Sequence, residues 1–199
     1  MFESEVTLAA TESEPERIAR GLRQSDLALL QSLVQQYQYR LVRYFIFLLG
    51  TRDQVDDLVQ ETWLRVLERG RSYDGESRFE PWLFAIARNL AIDHTRKRRL
   101  LSLDSNDDDE GAPASLSPVS GEASPFERAA RSEDAQFLAK SLQRLQPVVR
   151  EALVLRFQEE LSLQEISQVV GVSLSTVASR IYRGLAVMRQ QMDGGAHAN

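Results

Sequence analysis

A chain of 199 residues, 43% of them hydrophobic, can bury one core or two small ones. It has no cysteine, which excludes disulfides and thiolate chemistry, and no apolar run approaches the roughly 18 residues of a membrane span. The acidic N-terminus lacks the basic-then-apolar order of a signal peptide, so a cytoplasmic protein is expected. The net charge of -5 is confined to the middle: residues 102–131 carry seven acidic and two basic side chains, and the flanks balance. A polyanionic partner is therefore not excluded, and the question becomes whether the arginines of the flanks share a face.

In chain order, residues 1–24 fit no motif and are read as a disordered or regulatory tail. Residues 25–101 form a first unit of three amphipathic helices. Over 26–49, apolar residues recur at helical spacing: Leu27, Leu30, Leu33, Val34, Tyr37, Leu41, Tyr44, Phe45 and Leu48, with Gly50 as a stop. The next helix, 53–68, turns Val55, Leu58, Val59, Trp63, Val66 and Leu67 inward and carries Asp56, Asp57, Gln60, Glu61 and Leu64 on its other face. The third starts near Ser77, whose spacing to Glu80 fits a capping box, with Pro81 in the first turn. It buries Phe79, Trp82, Leu83, Ile86 and Leu90 and runs into Arg96, Lys97, Arg98 and Arg99.

Residues 102–132 are rich in Ser, Pro, Gly and Ala around the acidic run Asp107, Asp108, Asp109 and Glu110. They bury too little to offset ordering entropy, so a flexible acidic linker is expected. The second unit, 133–191, is shorter and punctuated. Phe137, Leu138, Leu142 and Leu145 mark one helix, and Pro147 restarts another through Val148, Ala152 and Leu155. Ser162 and Glu165 form a second candidate capping box on a two-turn helix that ends at Gly171. Ser173 then caps a last helix burying Val177, Ile181, Leu185 and Met188, and 192–199 form a disordered tail. The fold class is all-α: two small helical domains, a bundle and a four-helix domain with a helix-turn-helix, joined by the linker.

In a helix-turn-helix the second helix enters the major groove, its first residues at the base edges. With Val177 and Ile181 inward, Ser175, Thr176, Ser179, Arg180 and Arg183 are exposed; arginine can pair with guanine, and hydroxyls hold phosphates. The alternative is a helical hairpin that merely packs. On the third helix of the first unit, Arg88, Asn89, Ile92, Asp93 and Arg96 make a mixed polar face leading into cations. That pattern fits base reading, and equally a solvated helix end favoured by the helix dipole. Trp63, Phe79 and Trp82 read as core rather than as a stacking platform for single strands, with Phe84 off the main stripe. The acidic face with Leu64 at its centre suits a basic protein partner or plain solvent. His94 and His197 are isolated, and no catalytic, nucleotide-binding or calcium-loop motif is present. No enzyme activity, metal or cofactor is therefore expected.

The segments DDLVQETWLRVL (56–67), SRFEPWLFAIARNLAIDHTRKRR (77–99) and LQPVVREALVLRFQEELSLQEISQVVGVSLSTVASRIYRGLAVMR (145–189) occur in that order. Together they resemble bacterial RNA polymerase sigma factors of the extracytoplasmic-function (ECF) group, over residues 25–101 and 133–190. The resemblance implies a factor that binds core RNA polymerase, through its beta-prime and beta subunits, and directs promoter recognition and strand opening. Asp56, Asp57, Gln60, Glu61 and Leu64 would dock on the beta-prime coiled coil. Asn89 and Asp93 would read a flipped base of the minus-ten element, with Arg88, Arg96, Lys97 and Arg98 alongside and the loop 72–76 forming part of the pocket. Ser173, Ser175, Thr176, Ser179, Arg180 and Arg183 would hold the minus-thirty-five element.

An anti-sigma partner is implied as well, and the linker would thread the basic RNA path of polymerase, its acids suiting that channel as an RNA-like charge. Two DNA elements about 25 base pairs apart span roughly 85 Å, whereas a relaxed 29-residue linker averages about 30 Å. Two positions depart from the family pattern: Ser167 where alanine is usual, and Ala178 where a cation is common. The runner-up readings are a stand-alone helix-turn-helix regulator and an adaptor that binds protein only.

Overall fold

The computed structural model describes residues 12–104 and 133–195, with side chains over 12–98 and 137–192. The first helix, α1 (Glu14–Arg23), falls in the segment expected to be a disordered or regulatory tail, which is helical over these residues, while residues 1–11 lie outside the described ones. Its capping box is complete: the Glu16 amide donates to Ser13 Oγ, and the Ser13 amide donates to Glu16 Oε2 at 2.9 Å. Pro15 sits in the first turn, where its missing N–H costs nothing. Ile18, Ala19 and Leu22 bury the inner face.

Asp26 starts α2 (Leu27–Leu49) by accepting from the amides of Ala28 and Leu29, and Gly50 ends it at φ +74°. Next come α3 (Val55–Arg69), a 3-10 turn (Gly70–Ser72) and α4 (Phe79–Asp104). Glu80 uses its carboxylate across the bundle, accepting from the Tyr37 hydroxyl at 3.1 Å and pairing with Arg40 and Arg78. Tyr37, Tyr44, Tyr73, Phe79 and Phe84 meet edge-on, with ring centroids 5.2 to 5.5 Å apart. Phe84, off the expected stripe, is fully buried against Tyr44.

The C-terminal unit comprises α5 (Glu133–Gln143), α6 (Pro147–Leu153), α7 (Leu163–Val170) and α8 (Leu174–Gly195). After α6 the helix widens into a π turn, Val154–Gln158, closed by the Glu159 amide on Val154 O and followed by Glu160 at φ +56°. The capping box expected at Ser162 and Glu165 forms. The expected all-helical, two-unit fold is therefore observed over the described residues; the linker residues 105–132 and the tail 196–199 lie outside them.

Several expected core residues are exposed. Leu67 is 48% exposed because the buried stripe of α3 runs through Val55, Val59, Thr62 and Val66, about a quarter turn away. Thr62 holds its stripe position by donating to Leu58 O at 2.7 Å. Phe137 and Leu138 lie beside the buried Ser141 and Leu142 of α5, and Leu27 and Leu185 face out too.

The two units are in direct contact, α4 against α7 and α2 against α6, and their buried residues form one continuous apolar core. Polar side chains fasten the junction. Arg150 of α6 donates to the carbonyls of Phe47 and Leu48, placing a cation at the C-terminal end of α2, where unpaired carbonyls and the helix dipole favour one. Burial lowers its pKa. Arg40 Nε pairs with Glu159 Oε2 at 2.8 Å, and the Glu159 side chain is 0% exposed. At the outer edge Arg78 approaches Glu165 at 3.7 Å.

Candidate polymerase and nucleic-acid interfaces

The outward face of α3 follows from the register of its buried stripe. Asp56 and Asp57 fall in the first turn, where the helix dipole favours anions. Asp56, Asp57, Gln60 and Leu64 are exposed, and Glu61 is half-buried and paired with Arg65 at 2.9 Å. The five residues picked out in the sequence therefore share one face. Leu67, read as core, extends it: three positions after Leu64, it makes an exposed apolar pair bordered by carboxylates.

On α4 the predicted residues divide. Asn89 and Asp93 lie four residues apart on an exposed face, with Arg96 donating to Asp93 Oδ1 at 3.2 Å and Lys97 and Arg98 exposed beyond. Arg88 is turned away from them. Its Nε donates to Glu151 Oε1 at 2.9 Å, and the same oxygen accepts from the Tyr44 hydroxyl at 3.0 Å. Burial pushes the Glu151 carboxyl above the ordinary carboxylate value, with Arg88, Tyr44 and Arg180 pulling it back only in part. Burial, then Glu151, raises the Tyr44 phenol well above its usual value. The sequence grouped Arg88 with the DNA-facing residues; in this arrangement it serves the junction between units, and a cleft of about 730 Å³ opens beside it. His94 hydrogen-bonds Gln54 Oε1 at the start of α3.

The helix-turn-helix is built as its punctuation indicates. Gly171 ends α7 at φ +68°, a conformation that strains any other L-residue, and a Cβ there would meet nothing within 4 Å. The Ser167 hydroxyl donates to Val172 O at 2.5 Å, so the departure from alanine ties the turn to α7. The Thr176 amide donates to Ser173 Oγ, and the Ser173 hydroxyl also lies 2.8 Å from Thr176 Oγ1 and 3.0 Å from Ser175 Oγ. Ser175, Thr176, Ser179, Arg180 and Arg183 line one open groove of about 390 Å³ with Val148 and Val149. The structure thus gathers the predicted residues of α8. Among the described residues, no group of three or more His, Asp or Glu could hold a metal ion, and no helix is long and apolar enough to cross a membrane.

Residues 33–100 match the family described as Sigma-70 region 2, and residues 138–188 match Sigma-70, region 4. The RNA polymerase sigma factor CarQ of Myxococcus xanthus is 34% identical over 135 residues, covering 68% of this chain and 72% of CarQ. The ECF RNA polymerase sigma factor SigW of Bacillus subtilis (strain 168) is 27% identical over 175 residues, 87% of this chain and 94% of SigW. The chain is an ECF-group RNA polymerase sigma factor of the sigma-70 family. Two solved structures share the fold of this sigma factor at 24% identity. One is the sigma factor RpoE in complex with the anti-sigma factor NepR from Bartonella quintana, with a TM-score of 0.67 over 82% of this chain and 96% of that one. The other is CnrH in complex with the cytosolic domain of CnrY, with a TM-score of 0.64 over 89% of this chain and 96% of that one. Regions 2 and 4 in order do not favour the stand-alone helix-turn-helix reading.

Proposed function

We propose that this sigma factor acts in the cytoplasm through three surfaces. The α3 face docks on the beta-prime subunit of core polymerase, α4 opens the minus-ten element, and α8 reads the minus-thirty-five element. The observation that carries this reading is the separation of charge between helices. The exposed face of α3 is acidic around Leu64 and Leu67, and that of α4 ends in Arg96, Lys97 and Arg98. Opposite signs on adjacent helices suit a protein partner on one and phosphates on the other.

On α4, Asn89 and Asp93 present hydrogen-bonding groups to a base, and the cations behind them neutralise its backbone. A base taken out of the stack costs a few kcal/mol, which contacts in the pocket must offset. On α8, the Ser173, Ser175 and Thr176 hydroxyls suit phosphate oxygens at the helix start, and Arg180 and Arg183 reach base edges one turn later. The polymerase forms the bonds; this chain supplies selection and strand opening and carries no reaction of its own.

Reading both elements requires the two units to part. DNA sites roughly 85 Å apart exceed the span of α4, a 26-residue helix about 39 Å long. The junction holding Arg88 to Glu151 therefore belongs to the sigma factor off DNA, and an anti-sigma protein would favour the same state. Run-off transcription with purified core polymerase over a pool of promoters tests the reading. The expected result is core binding and start sites sharing two spaced elements; failure to bind core or to select a start site overturns it.

A further inference from the structure

Helix α1 lies upstream of the segment matched as region 2, and it packs on the 3-10 turn Gly70–Ser72 and on Gly75 of the loop 72–76. Gly75 approaches α1 so closely that a Cβ there would stand 2.9 Å from Ala19 Cβ, 3.0 Å from Pro15 O and 3.1 Å from Glu16 Cα. Its φ of +81° adds a second reason for glycine. Gly70, at the loop's entry, meets Leu22 in the same way, at 3.1 Å. Arg23 donates from Nη2 to Asp74 O at 3.3 Å, and Asp74 Oδ1 accepts from the Glu76 amide at 2.9 Å.

The other side of the loop is fixed to α4. Tyr73 is buried, packs on Phe79 and Trp82, and donates from its hydroxyl to Ser77 O at 2.5 Å. Burial, with Asp74, Glu80 and Glu14 of α1 nearby, pushes its phenol up to about 12. The alternation leaves Ser72, Asp74 and Glu76 exposed while Tyr73 and Gly75 point into the protein. Helix α1 is itself anchored elsewhere, by Gly21 against Leu29 of α2.

We propose that α1 is the positioning element of the minus-ten pocket: by clamping the backbone of 72–76 against the start of α4, it holds the exposed loop groups where a flipped base is received. Selecting one base from a helix that resists unstacking favours a pocket already ordered, since a loop that orders on binding subtracts its conformational entropy from discrimination. Arg23 and Gly75 are positioning residues in this account, acting through the loop rather than on the base. The inference rests on assigning the loop 72–76 to the pocket.

The test uses the full chain with core polymerase and a promoter library randomised over the minus-ten element. Variants Gly75→Ala, Arg23→Ala, Arg23→Lys and Asn89→Ala are compared with the wild type. Gly75→Ala is expected to lower preference at the flipped position about tenfold, from the cost of a left-handed alanine and its contact with α1. Arg23→Ala loses about threefold, the worth of one exposed hydrogen bond, and Arg23→Lys recovers part of it. Core affinity and upstream-element preference stay at wild-type values in both Arg23 variants. Wild-type base preference in Gly75→Ala and Arg23→Ala, with Asn89→Ala altered, overturns the inference alone. Unchanged preference in Asn89→Ala overturns the minus-ten reading on which it rests. Should Gly75→Ala fail to fold, Arg23→Ala decides, because that side chain is exposed.

Discussion

Arg88 and Glu151, 63 residues apart in sequence, are joined at 2.9 Å across the junction of the two units. The Arg88 side chain belongs to the helix proposed to open DNA, and Glu151 to the helix on which the helix-turn-helix is packed. With Tyr44 on the same oxygen, the carboxylate joins three helices, α2, α4 and α6. One ion pair therefore spans the junction between the helix proposed to open DNA and the unit that carries the helix-turn-helix.

Removing Arg88 should loosen that junction. In Arg88→Ala the Glu151 carboxylate keeps the Tyr44 hydroxyl but loses its nearest cation, and breaking a buried pair from one side costs about 3 kcal/mol. The chain has no cysteine, so dyes placed at Arg69→Cys and Gln168→Cys, both exposed positions, report the distance between units. The variant should show a larger mean distance and lower energy transfer than the wild type. Equal transfer in the two would mean that the apolar core, Arg150 and the Arg40–Glu159 and Arg78–Glu165 pairs hold the units without Arg88.

The same carboxylate sets a pH dependence. Burial raises the Glu151 pKa in the closed form, while a separated unit returns it to water and its ordinary value. Closure then takes up protons: its stabilisation is fully present below the ordinary carboxylate pKa and is lost as pH rises through the raised one. The groups facing Glu151 are Tyr44, Arg88 and Arg180, and burial followed by Glu151 itself holds the Tyr44 phenol well above its usual value. The Glu80 carboxyl, which burial alone would raise, is held below its usual value by backbone hydrogen bonding, Arg78 and Tyr37, all within the first unit, so parting of the units leaves these contacts in place. Glu151→Gln isolates the Glu151 contribution. Energy transfer in the wild type should fall as pH rises from 4.5 to 7.5, with a shallower slope in the variant. Parallel slopes would remove Glu151 from the account.

Leu67 and Leu58 should behave as opposites on one helix. Leu58 is buried, so Leu58→Ala should cost about 2 to 5 kcal/mol in thermal unfolding. Leu67 is half exposed, and its truncation should change stability by no more than about 0.5 kcal/mol. Yet Leu67→Ala should weaken core polymerase binding by about 1.5 kcal/mol, roughly tenfold, if the α3 face buries it on docking. Titration of labelled protein with core polymerase reads the second quantity. Unchanged affinity would confine docking to the residues before it.

What was legible in the sequence was local. The Ser162 and Glu165 box, Gly171 and the Ser173 cap lie within one short stretch, residues 162–173, and each formed as its spacing indicates. Helix α1 carried the same kind of signal, Ser13 three residues before Glu16 with Pro15 between, but an acidic segment ahead of the main apolar pattern masked it. The junction was not legible. Glu151 and Arg150 sit in α6, where charge ordinarily marks the solvent face, and Glu159 follows the π turn; partners from α2 and α4, with Gln143 and Leu145 beside Arg150, make their burial tolerable. The α4 face was half legible: Arg88 and Asn89 are neighbours in sequence but about 100° apart around the helix, enough to send one to the junction and leave the other exposed.

Asn89 and Arg180 give the sharpest separation of roles. An amide side chain can make two hydrogen bonds to one base, worth about 1 to 3 kcal/mol of discrimination, and a guanidinium does the same for guanine. Asn89→Ala should lower preference at one minus-ten position and slow strand opening, leaving the upstream element unaffected. Arg180→Ala should relax preference at one upstream position without changing minus-ten selection. Lys97→Ala is the control for charge alone: it should weaken all promoters alike and reduce the salt dependence of binding by about one unit of slope. Selection from a library randomised at both elements, repeated at two salt concentrations, distinguishes the three patterns. A uniform loss in Asn89→Ala or Arg180→Ala would move that residue from the base edge to the backbone.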